Sequence, residues 1–265
     1  MNDDLLLTIE AVRAAAATAL GHYRQPGAVQ YKVGDDPVTV ADHEADACLR
    51  RLLLGARPGY GWLSEETADD PVRLTRSRVW IVDPVDGTRE FVAGIPEWVV
   101  SVALVEEGRP IVGVICNPVR GDLYAAVAQG GAFRNGQRVF CTETETLSQA
   151  EMVVSRTESS RGEVTRFVPF LGSVRPLGSV AYKLAAVAAG EADLNASVQA
   201  KHEWDVCAGD LLVREAGGIM LTLDGHPRRY NQADPFIPDG LVAGNPQLAA
   251  AMLALIRNPN ARPPT

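Results

Sequence analysis

The chain has 265 residues, of which 46% are hydrophobic, and its 33 acidic and 25 basic side chains give a formal net charge of −8. This length allows one large domain or two smaller ones, and the composition is that of an ordinary globular protein. The excess of negative charge argues against broad electrostatic binding to DNA, RNA or an anionic membrane, because such binding needs a positive surface. We therefore expect no nucleic acid polymer among the partners.

Two helices are predicted first along the chain. Apolar residues recur every three or four positions over residues 4–20, and Gly21 ends that pattern. Thr39 and Asp42 have the spacing of a capping box, which predicts a second helix from Thr39 to Gly55. No segment approaches the ~18 uninterrupted apolar residues of a membrane span, and the acidic start is unlike a signal peptide. We expect no transmembrane segment and a cytoplasmic protein with reduced cysteines.

Strands are predicted next, at residues 61–64, 79–82, 98–105, 111–116 and 123–127. Their short connections favour an antiparallel sheet with the two early helices on one face. After residue 142, strands at 152–155 and 194–197 alternate with helices at 179–189, 206–216 and 246–256. The pattern predicts two domains, an α+β domain at 1–142 and an α/β domain at 143–265.

Acidic residues stand where predicted strands end. Asp83 and Asp86 follow a strand that looks buried, and we expect both carboxylates to converge on one cation. The N–H groups of Gly87 and Thr88, at the start of a short helix, would be available to phosphate oxygens. The alternative for this segment is an ordinary surface turn, since Pro, Asp and Gly are common turn residues.

Two further acidic positions extend this pattern. Glu65 and Glu66 directly follow the strand at 61–64, and Asp205 precedes the helix predicted from Val206. The alternative for the glutamates is a solvated surface pair, and for Asp205 an N-cap carboxylate without chemistry.

Three motifs, in order and spacing, resemble the inositol monophosphatase superfamily of magnesium-dependent, lithium-sensitive phosphomonoesterases. They are Ser64-Glu65-Glu66, Trp80-Ile81-Val82-Asp83-Pro84-Val85-Asp86-Gly87-Thr88, and Trp204-Asp205 with Ala208-Gly209 and Glu215-Ala216-Gly217-Gly218. The resemblance spans residues 5 to about 256. It implies a layered αβαβα sandwich, with an antiparallel-sheet N-terminal domain, a smaller mixed-sheet C-terminal domain, and metals at their junction.

The resemblance also implies roles for single residues, with Mg²⁺ as the cofactor in two or more copies. One ion would be held by Glu65, Asp83 and the main-chain carbonyl of Val85, and a second by Asp83, Asp86 and Asp205. Thr88, supported by Asp42, would orient the attacking water together with Glu65. This role competes with the capping role of Asp42, and we favour the contact with Thr88. Glu66 is left as an outer participant.

Within the superfamily, the Asp86-Gly87-Thr88-Arg89-Glu90-Phe91 segment is similar to bacterial 3′(2′),5′-bisphosphate nucleotidases. Ser179 would cap a helix while Lys183, one turn on, holds a second phosphate; the alternative is a capping serine and a solvated lysine. Lys201-His202-Glu203 would contact a ribose or base, or form a solvated loop. The segment at 231–235 is also similar to those nucleotidases, but we assign it no chemistry. The expected substrate contacts are Asp86, Gly87, Thr88, Ser179, Lys183 and Asp205.

The expected function is hydrolysis of the 3′-phosphate of adenosine 3′,5′-bisphosphate, or of its sulfated form, which would clear a by-product of sulfate assimilation. The alternative is an inositol monophosphatase or another sugar-phosphate phosphatase with the same metal site. A non-catalytic sensor of metal or nucleotide is a third possibility. The expected partner is a small phosphorylated substrate such as a nucleotide bisphosphate, and a homodimer is left open.

Overall fold

The computed structural model describes residues 3–25, 27–32, 37–258 and 260–262. Its helices are α1 (Asp3–Leu20), α2 (Val40–Ala56), α3 (Thr88–Val92), α4 (Arg156–Ser160), α5 (Val180–Ala188), α6 (Glu203–Glu215) and α7 (Pro246–Arg257). Its strands are β1 (Gln30–Tyr31), β2 (Pro37–Val38), β3 (Gly61–Ser64), β4 (Arg78–Asp86), β5 (Val99–Glu106), β6 (Arg109–Asn117), β7 (Asp122–Val127), β8 (Gly131–Arg134), β9 (Gln137–Val139), β10 (Glu151–Val154), β11 (Ser173–Pro176), β12 (Leu194–Ser197), β13 (Lys201–His202), β14 (Ile219–Leu221), β15 (Phe236–Ile237) and β16 (Leu241–Gly244).

The first sheet has seven strands in the order β3-β4-β5-β6-β7-β8-β9. Six of them form antiparallel pairs in sequence, as predicted, but β3 and β4 are parallel, with Gly61 opposite Val79. The prediction of a wholly antiparallel sheet is wrong at this pair, because the segment between the two strands crosses over through a 3₁₀ helix at Pro71–Thr75. The ends of β3 and β4 therefore lie side by side, and both lead into predicted site residues.

Alternating side chains of this sheet face two different helix layers. In β4, Trp80 and Val82 pack into the core shared with α1 and α2, whereas Val79 and Ile81 pack into the core shared with α5 and α6. This period of two is expected for a strand that is buried on both faces. The first sheet is thus the second layer of the molecule, with a helix pair on either side.

The second sheet completes the sandwich. Its strand order is β11-β10-β12-β16-β14, with parallel pairs at β10 and antiparallel pairs at β16, so it is mixed as expected. One face packs against α5 and α6, and α7 covers the other face through Leu248 and Met252. The layers confirm the αβαβα fold. The core around α5 and α6 takes residues from both sheets, and the division at 142/143 stays a prediction.

Helix α1 with the following turn, Asp3–His22, is the one helix of the described residues that is long and apolar enough to cross a membrane. In this structure its apolar face, with Val12, Ala15 and Ala19, packs against α2 and the first sheet.

Close contact between α6 and the first sheet depends on Gly113 in β6. A Cβ atom at this position would lie 2.9 Å from the main-chain oxygen of Ala208 in α6. We expect Gly113→Ala to lower the free energy of unfolding by about 1–3 kcal/mol, the usual cost of overpacking a core. Denaturant unfolding measures this change.

Gly55→Ala is the matched control. Gly55 lies in α2 with no atom within 4 Å of a Cβ, so alanine should raise the free energy of unfolding by roughly 0.5–1 kcal/mol through its helix propensity. Equal effects of the two substitutions would contradict the packing argument.

Candidate active site

A cleft of about 710 Å³ brings together the acidic positions that the sequence singled out. Its lining includes Glu65, Asp83, Val85, Asp86, Gly87, Thr88, Ser179, Lys183 and Asp205. These residues come from the ends of β3 and β4 and from the N-terminal ends of α3, α5 and α6, apart from Lys183, which lies one turn into α5. Asp42, which does not line the cleft, reaches it through Thr88.

Asp83 and Asp86 both belong to β4, which is longer than predicted. The pairing with β5 shifts between these two residues, which marks a bulge, and Asp86 lies opposite Val99. A bulge changes the direction in which neighbouring side chains point. Both carboxylates are buried, so the alternative of an ordinary surface turn is wrong.

Gly87 connects β4 to α3 in a conformation that suits only glycine. Its φ is +94°, and a Cβ there would lie 3.0 Å from the carbonyl oxygen of Glu97 and 3.2 Å from Ser179. The chain can therefore turn tightly and place Thr88 at the start of α3. The helix is a single turn, so the structure supplies only a short helix for the phosphate contact expected here.

Asp42 makes both of the contacts that we treated as competitors. Its Oδ2 accepts hydrogen bonds from the Thr39 main-chain N–H (2.8 Å) and hydroxyl (2.7 Å), while its Oδ1 lies 3.0 Å from Thr88 Oγ1. The expectation that Asp42 would not make the two contacts fully is wrong, because each carboxylate oxygen makes one of them. The capping box thus fixes the carboxylate that faces Thr88, whose hydroxyl also lies 2.9 Å from the Val85 carbonyl.

Glu65 and Glu66 both pair with Lys32, to which we assigned no role from the sequence. Lys32 Nζ lies 2.9 Å from Glu65 Oε1 and 2.5 Å from Glu66 Oε1. The side chain of Glu66 is almost fully buried, so the alternative of a solvated glutamate pair is wrong. The sequence offered one signal for a specific role of Lys32, which was the scarcity of lysine: the chain contains only Lys32, Lys183 and Lys201.

Asp205 is not the N-cap that the alternative reading expected, because α6 begins earlier, at Glu203. Asp205 stands in the first turn, and its Oδ2 accepts a hydrogen bond from the main-chain N–H of His202 at 2.7 Å. This is the third-residue half of a capping box, which holds the carboxylate near the positive end of the helix.

Asp86 meets the N-terminus of α5. Its Oδ2 accepts from the Ser179 hydroxyl (2.6 Å) and the Ala181 N–H (2.5 Å), and its Oδ1 from the Val180 N–H (3.3 Å). Ser179 also accepts from the N–H of Tyr182, so its predicted capping role is confirmed. The structure places the Asp86 carboxylate where we expected a second phosphate.

Lys183 is buried beneath this helix start, so the alternative of a solvated lysine is wrong. Its Nζ donates to the carbonyl oxygens of Ser179 (2.7 Å) and Leu177 (3.4 Å). Burial lowers the pKa of its ammonium group, and the nearby Asp86 opposes that shift. Contact between Lys183 and a second phosphate stays a prediction. The ammonium group has three protons, and the carbonyls of Ser179 and Leu177 accept two of them, so the third would serve the phosphate.

Burial, and to a smaller extent crowding of carboxylates, raises the pKa values of the acidic residues in the cleft. Burial, and then repulsion from Glu65, Asp86 and Asp205, raises the pKa of Asp83 well above its usual range. Burial raises the pKa of Glu65 to about 7, although Lys32 opposes the shift, and burial and repulsion from Asp86 raise that of Asp205 to about 8. The cleft therefore favours whatever brings positive charge to these oxygens.

The donor set fits a hard divalent cation in chemistry and charge. Carboxylate and carbonyl oxygens are the ligands that Mg²⁺ prefers. As the side chains stand, however, no three His, Cys, Asp or Glu side chains of the described residues are grouped tightly enough to hold an ion. The oxygens of Glu65, Asp86 and Asp205 are directed at protein donors instead. Binding a cation would require at least Glu65 to leave Lys32.

Comparison with known proteins shows the family of this chain. The model of the inositol monophosphatase family matches residues 2–259. The chain belongs to the inositol monophosphatase family. It is 35% identical over 244 residues to an inositol-1-monophosphatase of Rhizobium meliloti (87% of this chain, 86% of that one). It is 31% identical over 268 residues to the Nus factor SuhB of Escherichia coli K12 (97% of each chain).

Solved structures of the family share the fold. An inositol monophosphatase from Thermotoga maritima superposes with a TM-score of 0.85 at 27% identity, covering 96% of this chain and 97% of that chain. The family assignment makes this chain a phosphatase of a magnesium-dependent family. The relatives named above are not bisphosphate nucleotidases, so the finer resemblance to that branch is not supported by them.

Removing the charge of Asp83 should raise the stability of the protein and lower its activity. An asparagine can keep the hydrogen bond that Asp83 Oδ1 accepts from the Val85 N–H at 3.1 Å. Because the raised pKa of Asp83 destabilises the fold as pH rises above the usual carboxyl range, Asp83→Asn should raise the Tm measured in EDTA at pH 8. The difference should shrink towards pH 4. Phosphatase activity should fall about 100-fold or more.

Differential scanning fluorimetry and a phosphate-release assay measure the two effects. A lower Tm in EDTA at pH 8, together with unchanged activity, would show that Asp83 is a structural carboxylate.

Proposed function

We propose that this chain is a magnesium-dependent phosphomonoesterase that hydrolyses inositol 1-phosphate or a similar sugar phosphate by attack of water. The observation that carries the proposal is the convergence of Glu65, Asp83, Asp86, Asp205 and Thr88 on one cleft. The inositol monophosphatases among the relatives support the substrate class. The four cysteines are unpaired, which suits a cytoplasmic enzyme.

The acidic residues would hold the cofactor. Glu65, Asp83 and the Val85 carbonyl would bind one ion, and Asp83, Asp86 and Asp205 a second. When bound, Mg²⁺ neutralises phosphate charge and lowers the pKa of water at the site. The assignment is supported by the convergence of these oxygens, from separate elements, on one cleft. Their side chains turn from their protein donors towards the ion on binding.

Thr88, Asp42 and Glu65 would orient the attacking water. The Thr88 hydroxyl lies between two acceptors, Asp42 Oδ1 and the Val85 carbonyl, so its single proton can be given to either. Its oxygen then accepts a hydrogen bond from water, while the Glu65 carboxylate accepts a proton. The buried position of Asp42 favours this arrangement, because a buried carboxylate holds its donor firmly.

A second candidate substrate is adenosine 3′,5′-bisphosphate, favoured by an aromatic group at the cleft. The rings of His202 and Trp204 are stacked, 4.5 Å apart and 5° from parallel, and Phe236 meets His202 edge-on at 5.5 Å. All three line the cleft, and Phe236 is 46% exposed. An exposed ring such as that of Phe236 is suited to stacking with a nucleic acid base.

A phosphate-release assay with Mg²⁺ distinguishes the two substrates. The purified protein is supplied with inositol 1-phosphate, adenosine 3′,5′-bisphosphate or fructose 1,6-bisphosphate, with and without Li⁺. The proposal expects the highest kcat/KM for inositol 1-phosphate and a loss of activity in EDTA. Faster turnover of the nucleotide would select the second candidate, and no release from any ester would refute phosphatase function.

The substitution Phe236→Ala also distinguishes the two candidate substrates. For a stacked base we expect KM for the nucleotide to rise about tenfold, the equivalent of ~1.4 kcal/mol. Phe140→Ala is the matched control, because Phe140 is 58% exposed and does not line the cleft. If inositol 1-phosphate is the substrate, both variants should keep its KM within about twofold.

A further inference from the structure

Residues 231–235, to which we assigned no chemistry, are joined to the first turn of α6. The Glu203 carboxylate is buried and accepts hydrogen bonds from the main-chain N–H groups of Asn231 (2.6 Å) and Gln232 (2.8 Å). The Glu203 N–H in turn donates to the Pro235 carbonyl at 3.0 Å. The short strands β13 and β15 pair directly beside these contacts.

The same loop is held from the opposite side by a buried arginine. Arg73 donates from Nη1 to Asn231 Oδ1 (2.6 Å) and from Nη2 to the Gln232 carbonyl (2.9 Å). Its Nε and Nη2 also form a two-bond ion pair with Asp69, at 2.6 and 2.9 Å. A buried, forked guanidinium that makes four hydrogen bonds at once fixes the geometry of all its partners.

Arg73 lies in the crossover between β3 and β4, the two strands that lead to Glu65 and Asp83. Its main chain packs against Gly61 in β3, where a Cβ would lie 3.1 Å from Arg73 Cα. The loop is therefore attached to the strands on one side and to the helix of Asp205 on the other.

We propose that Asp69, Arg73, Asn231, Gln232 and Glu203 form a clamp that positions Asp205 relative to Glu65 and Asp83, and so sets the affinity of the cleft for Mg²⁺. This inference rests on the proposed function. Glu203 and Asp205 share the first turn of α6, and Asp205 Oδ2 is held by the His202 N–H, so movement of the clamp moves the carboxylate. Residues that orient metal ligands from outside affect metal affinity strongly.

Asn231→Gly tests the clamp with little disturbance of the backbone. Asn231 has a φ of +58°, which glycine adopts freely, and the glycine keeps the N–H that donates to Glu203 while losing the oxygen that binds Arg73. We expect the Kd for Mg²⁺ to rise about threefold or more, in calorimetric titrations well below Tm. The Mg²⁺ concentration for half-maximal activity should rise in parallel, with kcat at saturating Mg²⁺ little changed.

Asn135→Gly is the matched control. Asn135 has a φ of +50° in the turn between β8 and β9, away from the cleft, and its side chain accepts one main-chain hydrogen bond at 2.9 Å. This variant should lower Tm comparably and leave the Kd for Mg²⁺ unchanged, as a purely structural role would. Glu203→Gln serves as a second variant. It keeps the shape of the side chain but sets the amide N–H₂ against one of the two loop N–H groups, and should weaken Mg²⁺ binding at least as much.

The outcomes distinguish failure of the clamp proposal from failure of the proposed function. Folded Asn231→Gly and Glu203→Gln variants that bind Mg²⁺ as tightly as the wild type would overturn the clamp alone. A wild-type protein that binds no Mg²⁺ would overturn both the clamp and the proposed function.

Discussion

Several carboxylates gathered in one partly desolvated cleft repel one another, and this repulsion is the constraint on which the arrangement of the site depends. Asp83 shows this constraint, because burial raises its pKa and the charges of Glu65, Asp86 and Asp205 raise it further. Lys32 supplies one positive charge to Glu65, and no comparable partner faces Asp83 among the described contacts. A site with this excess of negative charge binds cations rather than anions. A phosphate can enter once bound cations have reversed the charge of the site.

The partial positive charges at helix N-termini offset much of this repulsion. Asp42 caps α2, Asp86 accepts the first free N–H groups of α5, and Asp205 stands in the first turn of α6. Each carboxylate lies where the partial positive charge of a helix favours an anion. The layered fold makes this possible, because helices from both sides of the first sheet begin at the edge where β3 and β4 end.

The resemblance to the family implied the layers. The main helices and strands and the acidic positions could be predicted from the sequence itself, because apolar periodicity and motif spacing are local properties. Local patterns did not show that β3 and β4 are parallel, since the crossover between them contains no regular helix. Nor did they show that Asp86 occupies the start of α5, a contact between residues 95 positions apart. Lys32 was missed for the same reason, since its partner Glu65 is distant in sequence. Glu203 was expected at a ribose or base or in a solvated loop, and both expectations are wrong, because its buried carboxylate binds the distant Asn231.

The central claim is that these carboxylates hold divalent cations. Mn²⁺ is a suitable probe, because it takes the same oxygen ligands as Mg²⁺ and scatters anomalously. The most direct measurement is an anomalous difference map from crystals soaked in Mn²⁺. The account predicts a peak bonded to carboxylate oxygens of Glu65 and Asp83 at about 2.0–2.3 Å, with Lys32 moved away from Glu65. No peak among Glu65, Asp83, Asp86 and Asp205, with Lys32 still bonded to Glu65 at saturating Mn²⁺, would contradict it.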